Sequence, residues 1–288
     1  MHSHQSHTRP RILHIRDSGG MFGGERVILT LGRNMDRGLF DFSLLCMDRG
    51  DGRSGHLLSA ARRCGIRAES IAVNGRLDMR ALKRLRSFIQ DHGVSLIHTH
   101  DFKSDFYGLL STRGLSVKRV SSAHGSTRDS VAKRLYLAFN EYLVYRGFDR
   151  VIAVSEDLKE RLSGKLLDPE KIIVIQNGLD LSLLDICSGG PEPPLPGVGQ
   201  AGSVVFAVIG RLYPDKGHSY FLKAFAELAP EAPHITGLII GDGPERRNIE
   251  ARIESLGLKG RVHCCGVRKN MKQVYGSIDC LVIPSLTE

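Results

Sequence analysis

No apolar run in this chain approaches the roughly 18 residues a membrane-spanning helix needs, so none of its 288 residues is expected to form one. The first eleven residues are polar and His-rich and contain no apolar core of the kind a secretory signal carries. The expected location is therefore the cytoplasm. None of the six cysteines (Cys46, Cys64, Cys187, Cys264, Cys265 and Cys280) forms a C-x-x-C pair or has zinc-ligand spacing. Cys46, Cys264 and Cys280 fall in apolar strand-like runs, where a thiol serves as a small hydrophobe. No D-x-D pair occurs, which argues against a carboxylate-held divalent ion, and the glycine loop after the first strand, Gly23-Gly24-Glu25-Arg26, is not G-x-G-x-x-G, which argues against a dinucleotide site of the usual kind there. Internal repeats are missing, and so is a basic stripe interleaved with aromatics. A solenoid and a nucleic-acid binder are therefore not expected.

What the chain does have is an ordinary globular balance, 41% hydrophobic and 25% charged, with a net charge of +9. The length suits two domains. The positive excess fits a phosphorylated substrate or an anionic surface. Arg80, Lys83, Arg84 and Arg86 lie beside Leu82 and Leu85 on a helical stretch. That stretch reads either as a solvated face or as a peripheral contact with anionic lipid headgroups at the inner face of a membrane. His2, His4 and His7 read as a disordered leader over residues 1–9 rather than as metal ligands.

Short β-branched runs alternate with helical periods. Strands are expected over 11–16, 42–47, 66–73, 94–98, 117–122, 151–154 and 172–175. Helices are expected over 25–35, 55–64, 78–91, 102–110 and 129–146, with one more after Ser155, which suits an N-cap. Residues 188–202 carry a Pro- and Gly-rich break and read as the linker between a first domain over 10–187 and a second over 203–288. A second series follows, with strands at 204–209, 235–240, 262–265 and 278–283 and helices at 217–228, 245–256 and 271–276. Strands separated by helices predict βαβ crossovers and parallel sheets. The fold class expected is α/β, two Rossmann-like domains facing across a cleft, with ligands at the carboxyl ends of the strands.

The residues with chemical potential sit at such ends. Gly210, Arg211, Lys216 and Gly217 follow a buried strand and lead into a helix. Arg can fork two phosphate oxygens and Lys adds a compact charge, so together they suit a departing diphosphate. Gly241, Asp242, Gly243 and Pro244 form a strand-to-helix turn in which glycine permits close ligand approach, and Gly266 is another strand-end glycine. Gly23 and Gly24 open a helix after the first strand, where free amides can receive phosphate. His124 ends a strand before Gly125. His98, His100 and Asp101 could read as a metal cluster, but no metal is expected.

Taken in order, Gly23-Gly24, the His98 to Asp101 stretch, Ala123-His124-Gly125, Gly210-Arg211 with Lys216-Gly217, and Gly241 to Pro244 resemble the retaining GT-B enzymes of glycosyltransferase family 4. Residues 154–156 and 176–180 match as well, so the resemblance covers nearly the whole chain. It implies transfer of a hexose from a UDP- or GDP-sugar to a glycan or lipid-linked acceptor, with no cofactor. His124 would face the transferred hexose, and Gly23 and Gly24 would lie near the diphosphate. Arg211 and Lys216 would hold that diphosphate as it leaves. Residues 241–244 and Gly266 would shape the nucleoside pocket. Glu288 would be the first glutamate of an E-x7-E motif, contacting the sugar hydroxyls. Its partner would lie beyond the end of the sequence, so the second domain is expected to be incomplete and the chain a fragment. The alternatives are a catalytically inactive nucleotide-binding fragment and, further behind, a sugar-nucleotide epimerase.

Overall fold

The computed structural model describes residues 9–17, 20–124, 138–164, 168–178, 180, 192–199 and 202–286. The chain divides into two compact units, residues 1–179 and 180–288.

The first unit alternates strand and helix as expected. β1 (Arg11–Arg16) is followed by α1 (Gly23–Asn34), β2 (Asp41–Asp48), α2 (Ser54–Arg63), β3 (Arg67–Ala72) and α3 (Met79–Asp91). Next come β4 (Leu96–Thr99), α4 (Phe102–Ser111), β5 (Lys118–Ala123), β6 (Arg150–Ala153), α5 (Glu156–Ser163) and β7 (Ile172–Val174). The strands form one sheet in the order β3-β2-β1-β4-β5-β6-β7, and each pairing is parallel. The order reverses between β1 and β4, which opens a crevice at their carboxyl ends. Both faces are covered, as a parallel sheet requires. Leu13 and Ile15 pack with Leu82, Leu85, Ile89 and Tyr107 on one side. Leu44 and Cys46 pack with Ile28, Leu29, Leu57 and Ala61 on the other.

Local chemistry sets the helix starts. Asp78 caps α3 by accepting from the N–H groups of Arg80 and Ala81 at 2.9 and 3.1 Å. Asp101 caps α4 through the N–H of Ser104 at 3.0 Å. Ser155 caps α5 through the N–H of Leu158 at 3.2 Å, as its sequence position predicts. The helix expected over 129–146 needs correction where it is described. Residues 138 and 139 are helical, then the turn widens to a π-helix over Asn140–Val144 and tightens to a 3₁₀ turn over Tyr145–Gly147. The wide turn brings the Asn140 amide to the buried Asp105 carboxylate at 2.8 Å. Residues 125–137 lie outside the described residues.

The second unit runs β8 (Val204–Ile209), α6 (His218–Leu228), β9 (Ile235–Ile240), α7 (Arg246–Ser255), β10 (Val262–Gly266), α8 (Met271–Tyr275) and β11 (Cys280–Leu281). Its sheet is parallel, in the order β10-β9-β8-β11. Val208 and Ile239 pack with Phe221, Leu222, Phe225, Ile249 and Ile253. The strand expected over 278–283 is shorter than its apolar content suggested, and Leu281 and Ile283 are 41% and 69% exposed. Residues 192–199 belong to this unit. Leu195 is buried with Val205 and Ala207, Arg268 donates to the Pro193 carbonyl at 3.0 Å, and the Lys269 N–H donates to Glu192 at 2.9 Å.

Candidate functional site

In the second unit the loops after β8, β9 and β10 are tied together through their backbones. The Gly210 N–H donates to the Ile240 carbonyl at 2.9 Å, and the Leu212 N–H to that of Asp242 at 3.0 Å. The Glu245 N–H donates to Leu212 at 3.1 Å, and the Gly241 N–H to Gly266 at 2.8 Å. At Gly217, Gly241 and Gly243 the backbone contact is too close for a side chain. A Cβ on Gly241, whose φ is 141°, would sit 1.8 Å from the Gly210 carbonyl oxygen, and one on Gly217, at φ 65°, would sit 1.9 Å from that of Pro284. The structure therefore joins residues 210–217, residues 241–245 and Gly266 into one edge, which the sequence suggested only as separate turns.

The charged groups stand on that edge. A 3₁₀ turn, Pro214–Lys216, links β8 to α6, and left-handed Gly217 ends it. Lys216 is half-buried and Arg211 is exposed. The Arg211 guanidinium lies 5.0 Å from the centroid of the Tyr213 ring, a cation–π contact that orients a long side chain. Leu286 donates its N–H to the Asp215 carbonyl at 2.8 Å, so the segment leading to the chain's last residues is anchored on the same turn. Glu288 itself lies outside the described residues. A separate cavity of about 570 Å³ runs along β10 by Glu250, Cys264, Cys265 and Arg268 and is lined by neither Arg211 nor Lys216.

The first unit builds its own edge where β1 meets β4. Gly23 and Gly24 begin α1, as expected, but the group beneath them was not foreseen. The Arg16 guanidinium lies under Gly24, whose Cβ would be 3.1 Å from it. Arg16 donates to Glu25 at 2.9 Å and to the His100 carbonyl at 2.5 Å, and it lies 3.8 Å from Asp101. Glu25, fully buried, also accepts from the Phe22 N–H at 3.0 Å, and Asp101 accepts from that of Asp17 at 2.8 Å. One buried carboxylate, one half-buried carboxylate and one guanidinium thus pin the glycine loop to the ends of both strands. An arginine closing a largely buried strand, with an acid in the first helical turn nine residues later, was the available signal.

Register produces a second unforeseen feature. His14 faces His98 across the β1–β4 pairing, and four imidazoles follow one another toward the carboxyl edge. His14 Nδ1 and His100 Nε2 share a hydrogen bond at 2.8 Å, and His98 Nε2 bonds Ser122 Oγ at 2.8 Å. The ring centroids of His100 and His124 are 5.9 Å apart. Burial pushes all four below the usual imidazole range: His98 to about 3, His124 to about 4, and His14 and His100 well down. His124 is therefore neutral at neutral pH, and its Nε2 is buried without a partner among the described residues. A neutral imidazole in that state can accept from or donate to a sugar hydroxyl. The donor atoms of His14, His98 and His100 lie within 4.8 Å of one another, making this trio the described group nearest to a metal site. Asp101 is not part of it, since its carboxylate caps α4.

Two parallel-sheet units, one carrying a cationic turn and the other a glycine loop at the carboxyl ends of the strands, define an α/β enzyme of the GT-B glycosyltransferase class. The family model of Glycosyltransferase Family 4 matches residues 22–183, and that of Glycosyl transferases group 1 matches residues 199–288. The chain belongs to Glycosyltransferase Family 4. It is 26% identical, over 98% of its length and 75% of the relative's, to the UDP-Gal:alpha-D-GlcNAc-diphosphoundecaprenol alpha-1,3-galactosyltransferase of Escherichia coli. A shorter match, 35% identical over 32% of this chain and 24% of the relative, is to the 2-deoxystreptamine glucosyltransferase of Streptomyces kanamyceticus. Among solved structures, the Anabaena protein HepE in complex with UDP and glucose has a TM-score of 0.74 at 20% identity, covering 95% of this chain and 74% of that one. A UDP-N-acetylglucosamine 2-epimerase shares the fold at a TM-score of 0.63 and 14% identity, covering 95% of this chain and 74% of its own.

Proposed function

We propose that this glycosyltransferase moves a hexose from a UDP-sugar to a lipid-linked or glycan acceptor, with retention at the anomeric carbon. Support for the donor comes from the galactosyltransferase relative, named for UDP-Gal, and from the HepE complex with UDP. A GDP-sugar is the second choice. The observation that carries the reading is the placement of Arg211 and Lys216 on one loop at the carboxyl end of β8, Lys216 closing its 3₁₀ turn. In the reaction the bond between the anomeric carbon and the diphosphate oxygen breaks, and the acceptor oxygen bonds to the same face. The acceptor's proton passes to a diphosphate oxygen. Arg211 and Lys216 neutralise the charge that grows on that diphosphate, an effect worth more in the transition state than in the ground state. Gly241, Asp242, Gly243, Pro244 and Gly266 border the nucleoside, Gly23 and Gly24 offer amides to phosphate, and His124 and Glu288 contact the sugar.

Lys216→Ala tests this. Loss of one charge-assisted contact to the leaving group is expected to cost on the order of 2–4 kcal/mol of barrier, a fall in kcat of about 30- to 1,000-fold. Unchanged turnover would remove Lys216 from the mechanism. An acceptor-dependent product separates transfer from epimerisation, and UDP binding without turnover would favour a binding-only protein. The mechanism routes no step through a divalent ion, so transfer should survive EDTA. Strong inhibition would instead give His14, His98 and His100 a metal to hold.

A further inference from the structure

The carboxyl end of β10 is bent and bare. Its pairing with β9 shifts register between Cys264 and Gly266, and the strand ends on left-handed Gly266, at φ 69°. The Gly241 N–H donates to the Gly266 carbonyl at 2.8 Å, so two glycines meet there and no side chain of either covers the join. One long side chain reaches this spot. A Cβ on Gly266 would lie 3.8 Å from Arg246 Nη1. Arg246 is the first residue of α7, where a cation opposes the helix dipole instead of complementing it. The needs of the helix therefore do not account for it. The guanidinium is nevertheless held from two sides. Its Nε donates to Glu250 at 2.9 Å, and Nη1 lies 3.7 Å from Asp242 Oδ2. The terminal N–H groups have no hydrogen bond among the described residues, on a side chain that is 38% exposed. Glu250 also lines the cavity beside β10, so this corner opens onto free space.

Charge decides what such an arginine can bind. Two carboxylates flank one guanidinium, so the corner is net negative and repels phosphate. The diphosphate is left to Arg211 and Lys216. What suits a fixed fork of N–H donors with its charge already balanced is a neutral, planar acceptor, such as the carbonyl of a nucleobase. We propose that Arg246 reads the base of the sugar donor by donating to the carbonyl at C4 of uracil, or at C6 of guanine. This rests on the reading of the second unit as the site of a nucleoside diphosphate. Cytosine and adenine carry an amino group at the corresponding positions, which would set donor against donor. Arg246 thus selects donors whose base carries a carbonyl there. As a surface ion pair alone, Arg246 with Glu250 would contribute little, and the bare glycines beside it would have no use.

The test is titration calorimetry of the whole chain with UDP and with CDP, which share ribose and diphosphate and differ in the base at C4. The parent should prefer UDP by roughly 5- to 150-fold, the discrimination that a well-placed side chain gives between a right and a wrong base. Arg246→Met keeps the apolar stem and removes the donors. It should weaken UDP by a similar factor and hold or improve CDP, because Asp242 and Glu250 are then free to accept from the amino group. The preference should therefore vanish or invert. Arg247→Met removes the same charge from an exposed neighbour on the same turn and should leave both affinities as they are. Should GDP be the tighter ligand, GDP and ADP are compared in the same way. If a sugar donor turns over, Arg246→Met should raise its KM and leave kcat nearly unchanged, since the base is held alike in ground and transition states. Equal affinity of the parent for UDP and CDP, with no preference for GDP over ADP, would overturn the proposal. So would an undiminished preference in Arg246→Met, or the same loss in Arg247→Met. A parent that binds none of the four nucleotides would sink the donor reading itself and this inference with it.

Discussion

Single glycines show which positions the fold cannot alter. Gly217 combines a left-handed backbone with a carbonyl oxygen 1.9 Å from where a Cβ would stand. Gly210, seven residues earlier, does not have a positive φ and has open space in the Cβ direction. Gly217→Ala is therefore expected to lose more than about 2 kcal/mol, from left-handed strain plus the clash with Pro284. Gly210→Ala should stay within about 1 kcal/mol. Denaturant melts of the two variants check this, and equal stabilities would mean that the contact between residue 217 and Pro284 yields easily. Sequence alone flagged both glycines alike, because φ and close approach are properties of the assembled edge.

At the scale of elements the sequence was a good guide wherever one segment decides its own shape. The strands β8 and β9 have the bounds their β-branched runs predicted, and Ser155 caps the helix it was expected to cap. It was a poorer guide where a distant partner decides. The π-helical turn follows from the reach of Asn140 to Asp105, and the histidine file follows from the register of β1 on β4. Arg211 and Lys216 were legible because their motif is local. Arg16 and Glu25 were not, since what pairs them is the return of α1 onto the end of β1. That pair is the main joint of the glycine loop. Removing one partner of a buried ion pair leaves the other charged and dehydrated. Glu25→Ala should therefore cost about 3 kcal/mol, lowering Tm by roughly 6–12 °C for a domain of this size. Glu25→Gln, which can still accept from the Phe22 N–H, should cost less. A melt of Glu25→Ala that overlays the parent would show that Arg16 is held by His100 and Asp101 alone.

For the molecule as a whole, the buried titratable groups of the first unit set a pH limit. Burial lowers His14, His98, His100 and His124, so in the folded state they remain neutral well below 6.5. The unfolded chain protonates all four as pH falls through 6.5. It then binds more protons than the folded state, and stability drops as pH falls. Two carboxyls act in the opposite sense. Burial raises Asp105 to about 7 and raises Asp101 as well, so each binds its proton more readily in the folded state and gains stability as pH falls. Four imidazoles against two carboxyls leave the imidazoles ahead between pH 6.5 and 4. At up to about 1.4 kcal/mol per pH unit for each group, the net slope is of order 2–4 kcal/mol per unit. Calorimetry should find the first unit's transition falling steeply from pH 6.5 to 5, while a profile flat over that range would mean that the folded chain protonates these rings without penalty. His14→Phe separates proton linkage from simple packing loss. Whatever it does to stability at pH 7, it removes one of the four sites, so the slope below pH 6.5 should become shallower by about one proton's worth.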